Sequence, residues 1–254
     1  MPHLPQPLSR LLPLCLCSLL LACSSPPGKK PVGSDGFSVE QLGQSDGNRV
    51  ANLTMRDNLD SLSLLLDKLY KRNPSSWRAG GAGSRDEAHR QIMEAIRRNQ
   101  PLPALGKVRS VAALTTAFDP HFKGDRAGTL IYGLGSMLLD CYDGKTEHYL
   151  LDGLDAGKLA NASYNVEVAA WLLSNRKGDD GKAMLRANEL SDSEQNLSFE
   201  REFGKIVGRL DLLAAFSDEK YRRAAINYSQ ALLGAPLLQF LPLDAAAATA
   251  ATRP

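Results

Sequence analysis

Cysteine is scarce in this chain: there are four in 254 residues, and three of them, Cys15, Cys17 and Cys23, fall within the first 23. A disulfide-stapled scaffold is thereby excluded, and stability must come from packing. Histidine is also limited to four, none of them in a His-Glu-x-x-His frame, so a histidine-rich zinc centre is not expected and the sequence assigns no metal. Apolar runs are short, no segment alternates apolar and polar residues like a half-buried strand, and no period of 34 residues recurs. What is present is ordinary globular composition, 43% hydrophobic and 23% charged, which rules out a wholly disordered or multi-span membrane chain.

The densest information lies at the N-terminus. Arg10 precedes a mostly apolar run from Leu11 to Leu21, which ends at Leu20-Leu21-Ala22-Cys23. A permanent spanning helix needs about 20 apolar residues, so this run fits the central region of a cleaved export signal better. The order of apolar run, small Ala22 and Cys23 resembles the lipobox of bacterial lipoproteins, with Leu21 bulkier than the pattern usually shows. That resemblance implies removal of residues 1–22, cleavage between Ala22 and Cys23, and fatty acylation of Cys23. The result would be a membrane anchor without a transmembrane helix. Ser24, rather than Asp, after the cysteine implies the outer membrane, on its periplasmic face.

Residues 23–47 are rich in Ser, Pro, Gly, Lys and Asp and read as a flexible tether, with Lys29 and Lys30 placed to meet anionic headgroups. Residues 48–242 read as a helical domain, and the alanine-rich residues 243–254 as a disordered tail. Met55, Leu59, Leu62, Leu66 and Leu69 lie on one helical face, ended by Asn73-Pro74. Ser84 with Glu87 is a capping box before Ala88, Ile92, Ala95 and Ile96. Leu105 to Phe118 is expected to be helical. Asp125 and Asp155 are expected to cap two further helices, and Cys141 sits on the apolar stripe of the first, as a small buried hydrophobe. Gly128 and Gly135 there, and Gly204 and Gly208 later, offer close-packing edges. Phe199 to Phe216 forms another helix. Asp218 is expected to start a last one with Tyr221, Ala225, Tyr228 and Leu232 inward and Gly234-Ala235-Pro236 as its stop. The fold class is therefore mostly α, an antiparallel multi-helix bundle or array of six to seven helices. The stretch Asn196-Leu197-Ser198-Phe199-Glu200-Arg201-Glu202-Phe203-Gly204-Lys205-Ile206 is similar to uncharacterised helical lipoproteins of proteobacteria, a likeness that implies no activity.

Two polar groupings have the residue types of acid–base chemistry: Asp119, His121 and Asp125, and Glu147, His148, Asp152 and Asp155. Capping accounts for Asp125 and Asp155, and solvated loops for the others, so no catalytic residue is assigned. Gly133-Leu134-Gly135-Ser136 lacks the further residues of a phosphate loop or a nucleophile elbow, and no cofactor is indicated. Neighbouring Glu200 and Glu202 diverge around a helix, which argues against a glycosidase pair. Asn165 and Glu167 are candidates for a buried polar contact. From Arg49 to Arg109 there are 12 Lys or Arg against 6 Asp or Glu, a basic face for an anionic lipid or cell-wall polymer or for the acidic remainder of the chain. Export disfavours nucleic acid. The expected function is a lipid-anchored envelope protein that binds, scaffolds or organises other components without catalysis. The alternatives are an envelope hydrolase using one of the Asp/His/Glu groupings, and a carrier holding an apolar ligand beneath Leu134, Val166 and Ile206.

Overall fold

The buried positions of the first helix, α1 (Asp46–Arg72), repeat at spacings of three and four, with Met55, Leu59, Leu62, Leu66 and Leu69 all facing the core. The computed structural model describes residues 46–146, 153–190 and 195–238, all within one compact unit. After α1 come α2 (Pro74–Ala79), α3 (Arg85–Arg97), a single 3-10 turn (Pro103–Leu105), α4 (Ser110–Ala117), α5 (Arg126–Cys141), α6 (Ala156–Asn175) and α7 (Ser198–Leu238). Between α6 and α7 two residue pairs, Glu189–Leu190 (β1) and Gln195–Asn196 (β2), form a minimal antiparallel ladder. The molecule is a mostly α array with seven helices among the described residues.

Helix α5 is the hub. Every residue in it except Arg126 and Asp140 is buried, as expected for a helix apolar all round. It packs on α1, α2, α3, α4 and α6, while α6 and α1 both pack on α7. Glycine makes two of these approaches close. A Cβ at Gly135 would lie 2.6 Å from Cδ1 of Ile96 on α3, and one at Gly133 would lie 2.7 Å from Cδ2 of Leu114 on α4. Burial of each leucine or isoleucine at such a junction contributes roughly 1.5–3 kcal/mol. Cys141 is buried at the end of α5, where its thiol donates to the Met137 carbonyl at 3.2 Å, and burial pushes its pKa up to about 12. That thiol is a core group, without the exposure or thiolate character of a nucleophile.

All three capping side chains take the roles their positions suggest. Ser84 Oγ accepts from Glu87 N–H at 3.1 Å, and Asp125 and Asp155 accept from Gly128 N–H and Lys158 N–H at 2.9 and 3.0 Å. Glu87 closes the box one residue early, on Gly83 N–H at 3.0 Å.

Several elements differ from expectation. The first helix begins at Asp46, within the stretch expected to be tether. Leu105 to Phe118 is not one helix: Pro103 starts a 3-10 turn and Gly106, at φ 59°, interrupts the chain before α4. Asp218 caps nothing. Ser217-Asp218 contains no breaker, good helix formers surround it, and α7 runs through as one element of 41 residues, past Gly234-Ala235-Pro236 to Leu238. Ala225 and Tyr228, expected inward, are exposed because the body ends before them; Tyr221 is 56% exposed at its edge, and the side chain of Leu232 lies outside the described residues. Gly204 and Gly208 face open space, with nothing within 4 Å of a Cβ at either, so they are not packing edges.

Candidate functional site

A cleft of about 510 Å³ opens where α2, α3, the 3-10 turn and the loop before α5 meet. Each wall has a local cause. Pro74 at the start of α2 fixes a turn after Asn73, whose side-chain amide donates to the Leu69 and Arg186 carbonyls at 2.9 Å each. This holds α2 so that Trp77 projects along the cleft. Ile92 and Ala95 come from the apolar face of α3, and Pro101-Leu102-Pro103 lays an extended strap across its end, because residues preceding proline avoid helical geometry. Phe122 forms a further wall. Its loop is gathered by the Arg126 guanidinium, which donates to the Ala117 carbonyl, to the Asp119 carbonyl at 2.8 Å and to the Phe122 carbonyl at 3.0 Å. Burial lowers the pKa of Arg126, and the charge of Asp119 partly offsets that.

The polar residues lining the cleft are Gln91, Glu94, Gln100, Asp125 and Thr129. Of the acid–base candidates in the two polar groupings, Asp125 alone lines the cleft among the described residues, and its carboxylate is already engaged. Its Oδ2 accepts from the Tyr70 hydroxyl, while Oδ1 accepts from Ser76 Oγ at 2.8 Å and from Gly128 N–H at 2.9 Å. Ser76 Oγ in turn accepts from Ala127 N–H at 2.8 Å. Tyr70 is fully buried, and burial first, then the Asp125 charge, raises its pKa far above that of a free tyrosine. The network ties α1, α2 and α5 together beneath the cleft and occupies both carboxylate oxygens of Asp125.

The remaining candidates do not converge on this cleft. Asp119 is exposed and its Oδ1 accepts from the His121 backbone N–H at 2.9 Å, a turn contact, while the His121 side chain is exposed. Asp155 is a cap, and Glu147, His148 and Asp152 lie outside the described residues, as do Ala22 and Cys23. Among the described residues no three His, Cys, Asp or Glu side chains are arranged to hold a metal ion. No protein-family model matches the chain, and no curated protein or solved structure is similar to it.

Glu167 is exposed and Asn165 half-buried beside a smaller groove of about 320 Å³ between α4 and α6, so neither is the buried polar contact expected of them. Other residues take that role. Arg209 on α7 donates to the Asp57 carbonyl at 3.1 Å, to Asn58 Oδ1 at 3.2 Å and to Ser61 Oγ at 3.0 Å on α1. Glu202, with a side chain only 4% exposed, accepts from Lys205 Nζ at 2.7 Å. Nearby Lys68 stands 4.7 Å from the Phe199 ring centroid; burial lowers its pKa, and the charge of Glu202 opposes that. Asn58 lies beside Leu59 and three residues from Met55 and Ser61, and Glu202 lies three residues after Phe199: a polar residue interrupting an apolar stripe was the available signal. Leu134, Val166 and Ile206 are fully buried, and neither cleft is lined by them.

Proposed function

We propose that this chain is an acyl-anchored protein of the bacterial envelope that holds an apolar segment of another envelope component in the Trp77–Phe122 cleft, without covalent chemistry. The observation that carries the reading is the cleft itself. Its 510 Å³ falls within the roughly 300–1,000 Å³ of ordinary ligand sites, and aromatic, aliphatic and proline side chains form most of its walls. Exposed Gln91, Glu94 and Gln100 at its edge supply hydrogen bonds that can orient an occupant. A hydrolytic site would need a free base beside a nucleophile or an activated water, whereas Asp125 spends both carboxylate oxygens on Tyr70, Ser76 and Gly128. The anchor belongs to the same proposal: Ala22-Cys23 in its lipobox-like setting would confine the cleft to the neighbourhood of a membrane, the outer membrane by the Ser24 criterion.

Site-specific photocrosslinking in intact envelopes tests this reading. A photoreactive residue at Gln91 or Ala104, both exposed and lining the cleft, should give an adduct of one defined mass. The same group at exposed Glu167 on α6 should not. Adding Trp77→Ala should reduce the cleft adduct at least tenfold. Equal adducts at all three positions, or indifference to Trp77→Ala, would count against the cleft as the binding site.

A further inference from the structure

Helix α7 outlasts the body it packs on. Its inner stripe runs Phe199, Phe203, Ile206, Leu210, Leu213 and Ser217, all buried, at spacings of four and three. The same stripe continues through Tyr221, Ala224, Tyr228 and Ala231, where every residue from 221 to 231 is exposed. Tyr221 is 56% and Tyr228 68% exposed. The body closes around the base of this arm, with Gly47, Asn48, Ala51 and Leu154 grouped beside Phe216, Ser217 and Tyr221. The Tyr221 hydroxyl lies against Gly153, and among the described residues nothing covers the stripe beyond it.

Charge indicates the occupant. From Lys220 to Leu238 the sequence has three cations, Lys220, Arg222 and Arg223, and no acid. Lys220 and Arg222 flank Tyr221 on the helix surface, each about 100° around from it. Arg222 and Arg223 do bond to Glu219, at 2.7 and 2.8 Å, but these are exposed pairs within one helix that water and headgroups can readily replace. A second copy of the arm would bring like charge to the stripe, whereas an anionic lipid surface brings the opposite charge. Tyrosine suits that boundary, with an apolar ring and a polar tip, and flanking basic chains can extend back to the headgroups. No helix among the described residues is long and apolar enough to cross a membrane, so the arm would lie in the plane of the surface.

We infer that the protruding half of α7 is an interfacial helix that docks on anionic phospholipid through Tyr221, Ala224, Tyr228 and Ala231. This contact is separate from the proposed acyl anchor and from the cleft, and it is measured without the anchor. The test uses residues 24–254, which contain the whole compact unit but not the acylated cysteine. Flotation with vesicles of phosphatidylglycerol and phosphatidylethanolamine should recover the protein, and pure phosphatidylcholine vesicles should recover at least tenfold less. Tyr221→Glu with Tyr228→Glu should lower binding to the anionic vesicles at least tenfold at an unchanged melting temperature. Leu212→Glu, exposed on α7 but off the stripe, should leave binding intact. Binding that ignores the tyrosine pair, or no binding to anionic vesicles, would overturn the inference. So would sedimentation equilibrium showing a dimer that the tyrosine pair dissolves, since the occupant would then be a second copy.

Discussion

Replacing Asp125 by alanine should be among the most damaging changes outside the apolar core, and the structure sets its size. The substitution removes the N-cap of α5, a loss of about 1 kcal/mol. It also strands the hydroxyl of Tyr70, a fully buried residue, at roughly 1–3 kcal/mol. The Ser76 bond is lost as well, although Ser76 Oγ still accepts from Ala127 N–H. The first two terms sum to about 2–4 kcal/mol, a large part of the 5–15 kcal/mol typical of a domain. Asp125→Asn should cost less than half as much, because asparagine caps nearly as well and keeps one acceptor oxygen. Tyr70→Phe in the Asp125→Ala background should recover part of the loss by removing the stranded donor, so the two changes are non-additive. Urea denaturation followed by circular dichroism of the native protein, the two Asp125 variants, Tyr70→Phe and the double variant gives all the terms. If Asp125→Ala costs under 1 kcal/mol, or the double variant is merely additive, the carboxylate is not the structural knot described, and a catalytic role for it regains ground.

Three further outcomes follow from the same packing. Tyr70, Tyr142 and Cys141 all have pKa values raised in the fold, chiefly by burial, so the unfolded chain releases their protons first and stability must fall as pH rises. The loss should begin near pH 9 with Cys141, steepen above pH 10 with the tyrosines, and reach about 1.4 kcal/mol per pH unit for each group, as denaturation at pH 8 to 11 would show. Gly204→Ala, into open helix surface, should raise stability by up to about 1 kcal/mol, whereas Gly135→Val, driven into Ile96, should lower it by about 1–3 kcal/mol; thermal melts distinguish the signs. Arg209→Leu should cost about 2 kcal/mol by leaving Asn58 Oδ1 buried without its donor, and adding Asn58→Leu should restore most of it, as denaturant midpoints would report.

Helix positions and caps were legible because their causes are local. Apolar spacing along α1, Ser84 three residues before Glu87, and Asp125 and Asp155 ahead of apolar stripes all act within one or two turns. Where one helix stops and the next begins was less legible. Ser217-Asp218 looks like a start signal, yet nothing in the chain there forbids a helix from continuing, and a cap can begin only what a breaker has ended. The inward assignment of Tyr221 and Tyr228 correctly followed the periodicity but assumed a body long enough to meet it. The cleft was hidden for a different reason. Trp77, Ile92, Leu102 and Phe122 belong to four separate segments, and only the packing of α2 and α3 against α5 brings them together. Asp125 was visible as both a cap and a chemical candidate; what sequence could not supply was Tyr70, 55 residues away, donating to the same carboxylate.

The most direct measurement of the proposed function is the intact mass of the protein purified from the cells that make it, with its N-terminal peptide fragmented. An acyl anchor at this site predicts a chain beginning at Cys23 and carrying fatty acyl groups, and a Cys23→Ser variant that is no longer processed in this way. A purified protein with a free Cys23 thiol, or one that retains residues 1–22, would contradict it.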